Sequence, residues 1–336
     1  MADGIPIPGS LYLYAPNKVA PVFFTIAFAA SAVGHIWQCQ HYKSWKLIWL
    51  HPVAAVLFTG GYALREYGAF HYFYYNHLNL ILFIVSQILI YICPPLLELA
   101  NYHVLGRILY YVPYFAPLPP GRVLQIFGGL MALIETLNSL GASLAANPTS
   151  SHSQQQLGSH LTIAALALQL GIIVIFITLA ASFQLRCIRA GVHARAVSTP
   201  IRVLYISTGL ILIRCIYRLV EHFGNTTVRF KDPEALKELS PALRYEWYFY
   251  VFEATLMLVN SVIWNIWNPG RYLPRNWHVH LAEDGQTEVE GEEMPDDRPL
   301  LAKAGHVLTF GMLFGRRKDI HVFEELGDYP ASRGRA

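Results

Sequence analysis

Charged residues are scarce in this chain of 336 residues, where Asp, Glu, Lys and Arg together make up 14%. Soluble domains usually hold about a quarter. Apolar residues make up 54%. Apolar windows of about twenty residues, the length that spans a bilayer, recur from residue 20 to residue 270. The composition therefore predicts an all-α, polytopic membrane protein and excludes a soluble globular domain.

The sequence motifs of several enzyme and metal-binding classes are also absent. No GxxxxGK[ST] loop is present, which excludes a P-loop ATPase within this sequence. No HxxxH, HExxH or CxxC grouping is present, so we expect no metal, no cofactor and no membrane hydrolase, and predict that the chain is not an enzyme. The four cysteines fall outside the predicted external loops, and we expect no disulfide. The seventh apolar window has no lysine for a retinal Schiff base, which excludes an opsin.

Seven apolar windows predict a bundle of seven transmembrane helices. They lie at roughly 20–39, 46–66, 76–100, 123–146, 160–185, 201–223 and 246–267. Lys and Arg concentrate in the first, third and fifth connections, which the positive-inside rule places in the cytoplasm. We therefore predict a plasma-membrane protein with an external N-terminus (1–19), a membrane domain (20–270) and a cytoplasmic tail (271–336).

The tail differs in composition from the rest of the chain, with 12 Asp and Glu against 9 Lys and Arg over 271–336. From about residue 281 it is poor in apolar residues, and we predict that it is mostly disordered. Asp296, Leu300 and Leu301 resemble an acidic dileucine signal for sorting machinery. Asn225 opens a glycosylation sequon in a predicted external loop. The uncharged stretch from 147 to 160 is predicted to be a flexible external linker.

Charges within the last two apolar segments are the main functional signal. Arg214, Arg218 and Glu221 share one helical face, because they are spaced at i, i+4 and i+7. Glu246 and Glu253 stand in the seventh segment. With a rise of about 1.5 Å per residue, Arg214 and Glu253 lie at roughly the same depth. We therefore predict that they pair inside the membrane.

Two interpretations of this pair remain open. It belongs to a polar cavity that binds or gates a charged substrate, to which Glu135, Asn138 and Gln169 contribute, or it only locks two helices together. Five other charged residues are interpreted as structural or interface charges: Arg218, Glu221, Arg65, Glu246 and Arg107. Arg65 is expected to extend to the outer headgroups, and Glu98 to lie toward the cytoplasm.

Several stretches between about residues 11 and 275 resemble one family. They are GYALR (61–65), CPPLLELANYHVLGR (93–107), Gln169, RCIYRLVEHFG (214–224), and EWYFYVFEATLM (246–257) with a later NPG. Together they resemble the fungal lipid-translocating exporters, seven-helix proteins named after resistance to aminocholesterol, which include the sphingoid long-chain base exporter of yeast. In that family Asp usually stands in place of Glu253 and His in place of Asn268. Its fourth helix normally has Asp and Gln where Met131 and Asn138 stand here.

The resemblance implies export or flipping of sphingoid bases or other toxic amphiphiles, with resistance to stress or drugs as the outcome. The ammonium group of a sphingoid base would pair with Glu253 or Glu135. The implied partners are membrane lipids or amphipathic small molecules, and no nucleic acid is expected. The alternative is a seven-helix receptor or sensor for an amphipathic ligand.

Overall fold

The structure, a computed structural model, is almost entirely helical. It describes residues 7, 9–12, 14–73, 77–146, 151–192, 194–223, 240–282 and 284–290. The longer helices are α1 (Ala20–His41), α3 (Leu50–Phe70), α4 (His77–Tyr111), α5 (Pro120–Ala146), α6 (His152–Arg189) and α7 (Arg195–Phe223). The shorter ones are α2 (Trp45–Ile48), α8 (Pro241–Arg244), α9 (Glu246–Phe249) and α10 (Leu256–Ile266), and a π-helix, Tyr250–Thr255, joins α9 to α10.

Most of the predicted apolar windows correspond to helices that could span a membrane. Among the described residues, six helical segments are long and apolar enough to cross a bilayer. They are Ala20–His41, His77–Tyr111, Gly121–Ala145, Ser153–Arg189, Arg195–Phe223 and Glu246–Arg271. The remaining predicted span corresponds to α3, which has 21 residues but includes His51, Arg65 and Glu66. The predicted all-α polytopic membrane fold is confirmed.

The helices pack as a bundle in which α1 lies against α3 and α10, and α4 lies against α3, α5 and α7. Two buried apolar clusters fill it. One includes Val197, Phe183 and Trp264, and the other includes Phe28, Phe58 and Ile211. We call the end with the connections at 42–44, 112–119 and 190–192 the basic end, and the end with residues 14–19 and 71–73 the opposite end.

Large apolar side chains also cover the outside of the bundle. On α4, Ile81, Ile84, Ile88 and Ile92 are 44–56% exposed and recur every three or four residues. A soluble monomer rarely exposes so continuous an apolar surface. This stripe therefore faces lipid, while the polar residues described below face the interior.

Two helices are longer than the apolar windows that predicted them. The stretch predicted as a flexible linker is largely the start of α6, because Ser151 and Gln154 form a capping box there, with the Gln154 amide donating to Ser151 Oγ (3.4 Å). The linker prediction was therefore wrong for residues 152–160. Helix α4 continues through Pro94 and Pro95 to Tyr111.

The start of the tail is also structured. Strands β1 (Val279–Leu281) and β2 (Glu288–Glu290) pair antiparallel, and Leu281 pairs with Glu288. The prediction of disorder from about residue 281 therefore fails for this hairpin, whose turn is stabilised by amides of residues 286 and 287 donating to Asp284. The Thr287 hydroxyl, together with these amides, holds the pKa of the exposed Asp284 carboxyl below its usual value. Residues 291–336 lie outside the described part of the chain.

Helices α5 and α6 approach closely where two glycines face each other. A Cβ at Gly158 would lie 2.6 Å from the Gly141 carbonyl oxygen, and a Cβ at Gly141 would lie 2.7 Å from the Gly158 carbonyl oxygen. Small residues allow such backbone contact between membrane helices. This close contact does not depend on a GxxxG motif within one helix, because α5 and α6 each supply one glycine.

This contact predicts a position-specific effect of adding one methyl group. Gly158→Ala is expected to destabilise the bundle by about 1–3 kcal/mol, because the backbones must separate. Gly171→Ala, on the same helix but with no atom within 4 Å of the added Cβ, is the matched control and is expected to be neutral or stabilising. Thermal unfolding in detergent compares the two, and equal effects would contradict the close contact.

Candidate functional site

The predicted contact between Arg214 and Glu253 is present in the interior of the bundle. Arg214 Nε donates to Glu253 Oε1 over 2.6 Å, joining α7 to the π-helix. Arg214 is 5% exposed and Glu253 is 0% exposed. The pair is thus removed from solvent, where each ion is costly unless the other neutralises it.

Only one of the two oxygens of the Glu253 carboxylate has a hydrogen-bond partner among the described residues. Its second oxygen, Oε2, is buried and has no hydrogen-bond partner among the described residues. Arg214 meets the carboxylate through Nε alone, not through the two-pronged contact that would engage both oxygens. A buried, unpaired carboxylate oxygen is therefore available to a cationic or hydrogen-bonding ligand.

The backbone around Glu253 is unusual as well. Residues Tyr250–Thr255 form a π-helix, and Thr255 Oγ1 donates to the Tyr250 carbonyl five residues earlier (2.8 Å). Such wide turns inside α-helices occur mostly as single insertions and often at functional sites. The extra residue in this turn sets the direction in which Glu253 faces α7.

A second carboxylate, Glu98 on α4, lies in the same interior. Tyr102 Oη donates to its Oε1, and Gln169 Nε2 on α6 donates to its Oε2 over 2.8 Å. The Cys215 thiol, next to Arg214 on α7, in turn points at Gln169 Oε1 (3.9 Å). Glu98 is 2% exposed. Glu98 lies in the half of α4 nearer the basic end and is buried in the network beside Arg214, not at the membrane surface.

Glu135 and Asn138 on α5 border this network. Glu135 is half-buried, lies beside the Asn138 side chain, and is within electrostatic reach of Arg214. Glu98 and Glu135 are also within electrostatic reach of each other. The structure thus brings together all five residues predicted for substrate binding or gating, and adds Glu98. We call these six residues the polar cluster: Arg214, Glu253, Glu98, Glu135, Asn138 and Gln169.

A further polar chain that the sequence did not reveal lies closer to the basic end. Trp264 Nε1 donates to Ser207 Oγ (3.0 Å), Ser207 Oγ donates to Asn101 Oδ1 (3.0 Å), and Asn101 Nδ2 donates to Thr208 Oγ1 (3.2 Å). These hydrogen bonds join α4, α7 and α10.

Arg218 and Glu221 form their own ion pair within α7. Arg218 Nη1 donates to Glu221 Oε2 over 2.6 Å, and the guanidinium lies 4.6 Å from the centroid of the Tyr91 ring. The Glu221 side chain is 9% exposed and that of Arg218 18%. The two charges satisfy each other one to two turns from Arg214, which fits the structural role predicted for them.

Arg65 does not extend to the membrane surface as expected. It is 1% exposed, and its Nη2 donates to Glu246 Oε1 and to the Tyr14 hydroxyl, both over 3.1 Å. Its guanidinium lies 4.1 Å from the Phe249 ring centroid. Arg65 is buried because the segment before α1 folds over this end of the bundle and removes its side chain from solvent.

The segment is held by the same ion pair. The Asn17 amide donates to Glu246 Oε2 over 2.7 Å, and the Leu11 amide donates to the Tyr72 carbonyl over 2.9 Å. Burial raises the pKa of the Tyr14 hydroxyl above its usual value, although Arg65 opposes the rise, so Tyr14 stays neutral at physiological pH. We call the described residues between 9 and 17, which are 9–12 and 14–17, the N-terminal cap.

Some predicted features have no structural description. Asn225 and the dileucine residues Asp296, Leu300 and Leu301 lie outside the described residues. In the part that is described, no group of three or more His, Cys, Asp or Glu side chains is placed to hold a metal ion. All four cysteines are buried and free. The polar cluster is therefore the candidate functional site.

The fold and the polar cluster define a polytopic helical membrane protein with a charged interior. The family model described as "RTA1 like protein" matches residues 51–276. The chain therefore belongs to the RTA1-like family. This range includes every residue of the polar cluster as well as Arg65 and Glu246.

Three similar proteins carry transport-related names. "Lipid-translocating exporter-like protein RTA1" of Leptosphaeria maculans is 55% identical over 98% of this chain and 65% of its own length, so this chain spans about two thirds of that relative. A protein of the same name from Ajellomyces capsulatus is 31% identical over 65% of this chain and 69% of its own length. "Probable lipid transporter atnI" of Emericella nidulans is 26% identical over 79% and 69%. No solved structure matches the chain.

Proposed function

We propose that this protein translocates amphipathic lipids across the membrane, with sphingoid long-chain bases as the substrate class and resistance to toxic amphiphiles as the result. The names of the three relatives support lipid transport in general. The observation that carries the proposal is the buried Glu253 Oε2 oxygen, which is unpaired beside Arg214. A membrane-embedded charge with an unfilled partner position marks a site for a substrate or a proton.

The chemistry of a sphingoid base fits this cluster. Its ammonium group would pair with the free oxygen of Glu253, and Glu135 offers a second, half-buried carboxylate. Its hydroxyl groups would bond to the amides of Asn138 and Gln169. Its alkyl chain would lie along the apolar outer surface, which already faces lipid.

Release of the substrate requires competition for the carboxylate. Arg214 and an incoming ammonium group are rival cations for Glu253, so binding of one weakens the contact with the other. The π-helix supplies a place where the backbone can change register and rotate Glu253. In this mechanism Arg214 neutralises the carboxylate when the substrate is absent, and the protein is a transporter rather than an enzyme.

Flux of a labelled sphingoid base tests the proposal. Purified protein in phosphatidylcholine vesicles is expected to move labelled phytosphingosine across the bilayer faster than empty vesicles, and the Arg214→Ala/Glu253→Ala double variant is expected to lose this gain. Equal incorporation is verified by protein content and by unfolding temperature. Identical flux for wild type and the double variant would sink the assignment of this cluster to transport.

A further inference from the structure

A separate basic cleft lies at the basic end of the bundle, away from the polar cluster. It is a small, partly open cleft of about 20 Å³ between the α1–α2 connection, the end of α4 and the chain after α10. Three cationic side chains line it: Lys43, Arg107 and Arg275. Arg107 is nine residues beyond Glu98, about 13 Å along α4. The cleft is therefore not part of the site proposed for transport.

Arg107 is fixed in place without an acidic partner. Its Nη1 donates to the Trp277 carbonyl (3.3 Å), and its Nη2 donates to the carbonyls of Pro274 (3.2 Å) and Asn276 (2.8 Å). The N–H on Nε and a second one on Nη1 have no acceptor among the described residues. Arg107 is 2% exposed and makes no ion pair in the described part of the chain. Its charge is thus preorganised but not neutralised.

The neighbouring charges do not neutralise it. Lys43 and Arg275 are exposed and, in the described ranges, contact no carboxylate. The hairpin does bring two carboxylates near, but Tyr111 Oη donates to Glu288 (2.6 Å) and Asn276 Nδ2 donates to Glu290 (3.0 Å). Neither carboxylate makes an ion pair with the cleft cations among the described residues. Three positive charges therefore line the cleft without a directly paired carboxylate.

The end of α1 forms one wall of the cleft. Lys43 has a positive φ of 52°, the left-handed conformation that terminates this helix, and the Ser44 amide donates to the Cys39 carbonyl over 3.0 Å. The buried Ser44 residue lines the cleft, and its hydroxyl lies beside the Cys39 thiol and has no hydrogen-bond partner among the described residues. Gly270 lets the chain pack on Ser44, since a Cβ there would lie 2.9 Å from Ser44 Oγ. An unpaired donor thus stands beside the cations.

We propose that this cleft binds a phosphate group, either the headgroup of an anionic membrane lipid or free inorganic phosphate. Arg107 would contribute its unused N–H groups, Lys43 and Arg275 their charges, and Ser44 its free hydroxyl. Phosphate matches this set because it accepts several charge-assisted hydrogen bonds at once. The binding is independent of lipid translocation and does not require the polar cluster to be active.

Thermal unfolding of the full chain in neutral detergent tests the proposal. Dihexanoyl phosphatidic acid or inorganic phosphate is expected to raise the unfolding temperature saturably, whereas dihexanoyl phosphatidylcholine controls for the acyl chains. A response to phosphatidic acid alone assigns the site to a lipid headgroup, and a response to inorganic phosphate alone also supports the cleft and assigns it to the free anion. No saturable response to either compound overturns the proposal.

Matched double variants separate this cleft from general surface charge. Lys43→Gln/Arg275→Gln is expected to weaken the apparent affinity by about tenfold or more, because two charge-assisted contacts are lost. Lys46→Gln/Arg271→Gln removes the same charge from exposed neighbours that do not line the cleft, and its affinity is expected to equal that of wild type. Equal losses in the two double variants would overturn the proposal.

Discussion

Arg214→Ala is expected to destabilise the folded protein by about 3–5 kcal/mol and to abolish sphingoid-base flux, because it leaves Glu253 buried without a cation. Both consequences arise from one geometry, a 2.6 Å contact between side chains that are almost fully buried. Thermal or denaturant unfolding in detergent measures the first, and vesicle flux measures the second. Arg202→Ala, an exposed position on the same helix, is the matched control and is expected to change stability by less than about 0.5 kcal/mol.

An exchange of the two charges separates transport from helix locking. Arg214→Glu combined with Glu253→Arg restores an opposite-charge pair, so stability is expected to recover beyond that of either single change. Flux is expected to remain lost, since the free carboxylate oxygen would then lie on α7 rather than on the π-helix. Recovery of flux together with stability would show that the pair acts only as a lock.

The sequence was sufficient for features that depend on local spacing. The depth of Arg214 relative to Glu253 follows from the rise of a helix, counted from each membrane end. Both residues belong to adjacent apolar segments, so few alternative partners compete for either. The length and composition of the apolar windows likewise predicted the membrane fold, because the bilayer fixes how long a spanning helix must be.

Features that depend on packing between residues far apart in the sequence could not be predicted from the sequence. Glu98 looked like a charge near the cytoplasm, because its depth depends on how far α4 continues beyond the proline pair. Its partner Gln169 lies on α6, 71 residues away in sequence. Arg65 looked like a surface anchor, because only the folded N-terminal cap removes it from solvent. In each case the missing information was the identity of the neighbour, not the character of the residue.

The unusual fourth helix also becomes intelligible in the structure. Met131, which stands where the family normally has Asp, is 6% exposed and packs in the apolar cluster with Phe127 and Ile134. The charge that this position lacks is present elsewhere in the interior, on Glu98 of α4 and Glu135 of α5.

Glu246→Ala is expected to cost about 3–5 kcal/mol of stability and to release the N-terminal cap, because one carboxylate holds both Arg65 and the Asn17 amide. Hydrogen exchange over residues 9–17 is expected to accelerate in the variant before the helices unfold. Lys18→Ala, an exposed change beside the cap that removes a contact with Phe70 and an electrostatic interaction with Glu66 but touches neither Glu246 nor Arg65, is the control.

A second variant distinguishes loss of the ion pair from loss of the cap. Arg65→Met combined with Glu246→Leu replaces the pair with apolar groups and removes the unneutralised charge, so most of the lost stability is expected to return. The Asn17 amide still lacks its acceptor in this variant, so exchange over the cap is expected to remain fast. Slow exchange in both variants would contradict the role of Glu246 as the anchor of the cap. Fast exchange with recovered stability would show that closure at this end depends on a single hydrogen-bonded carboxylate.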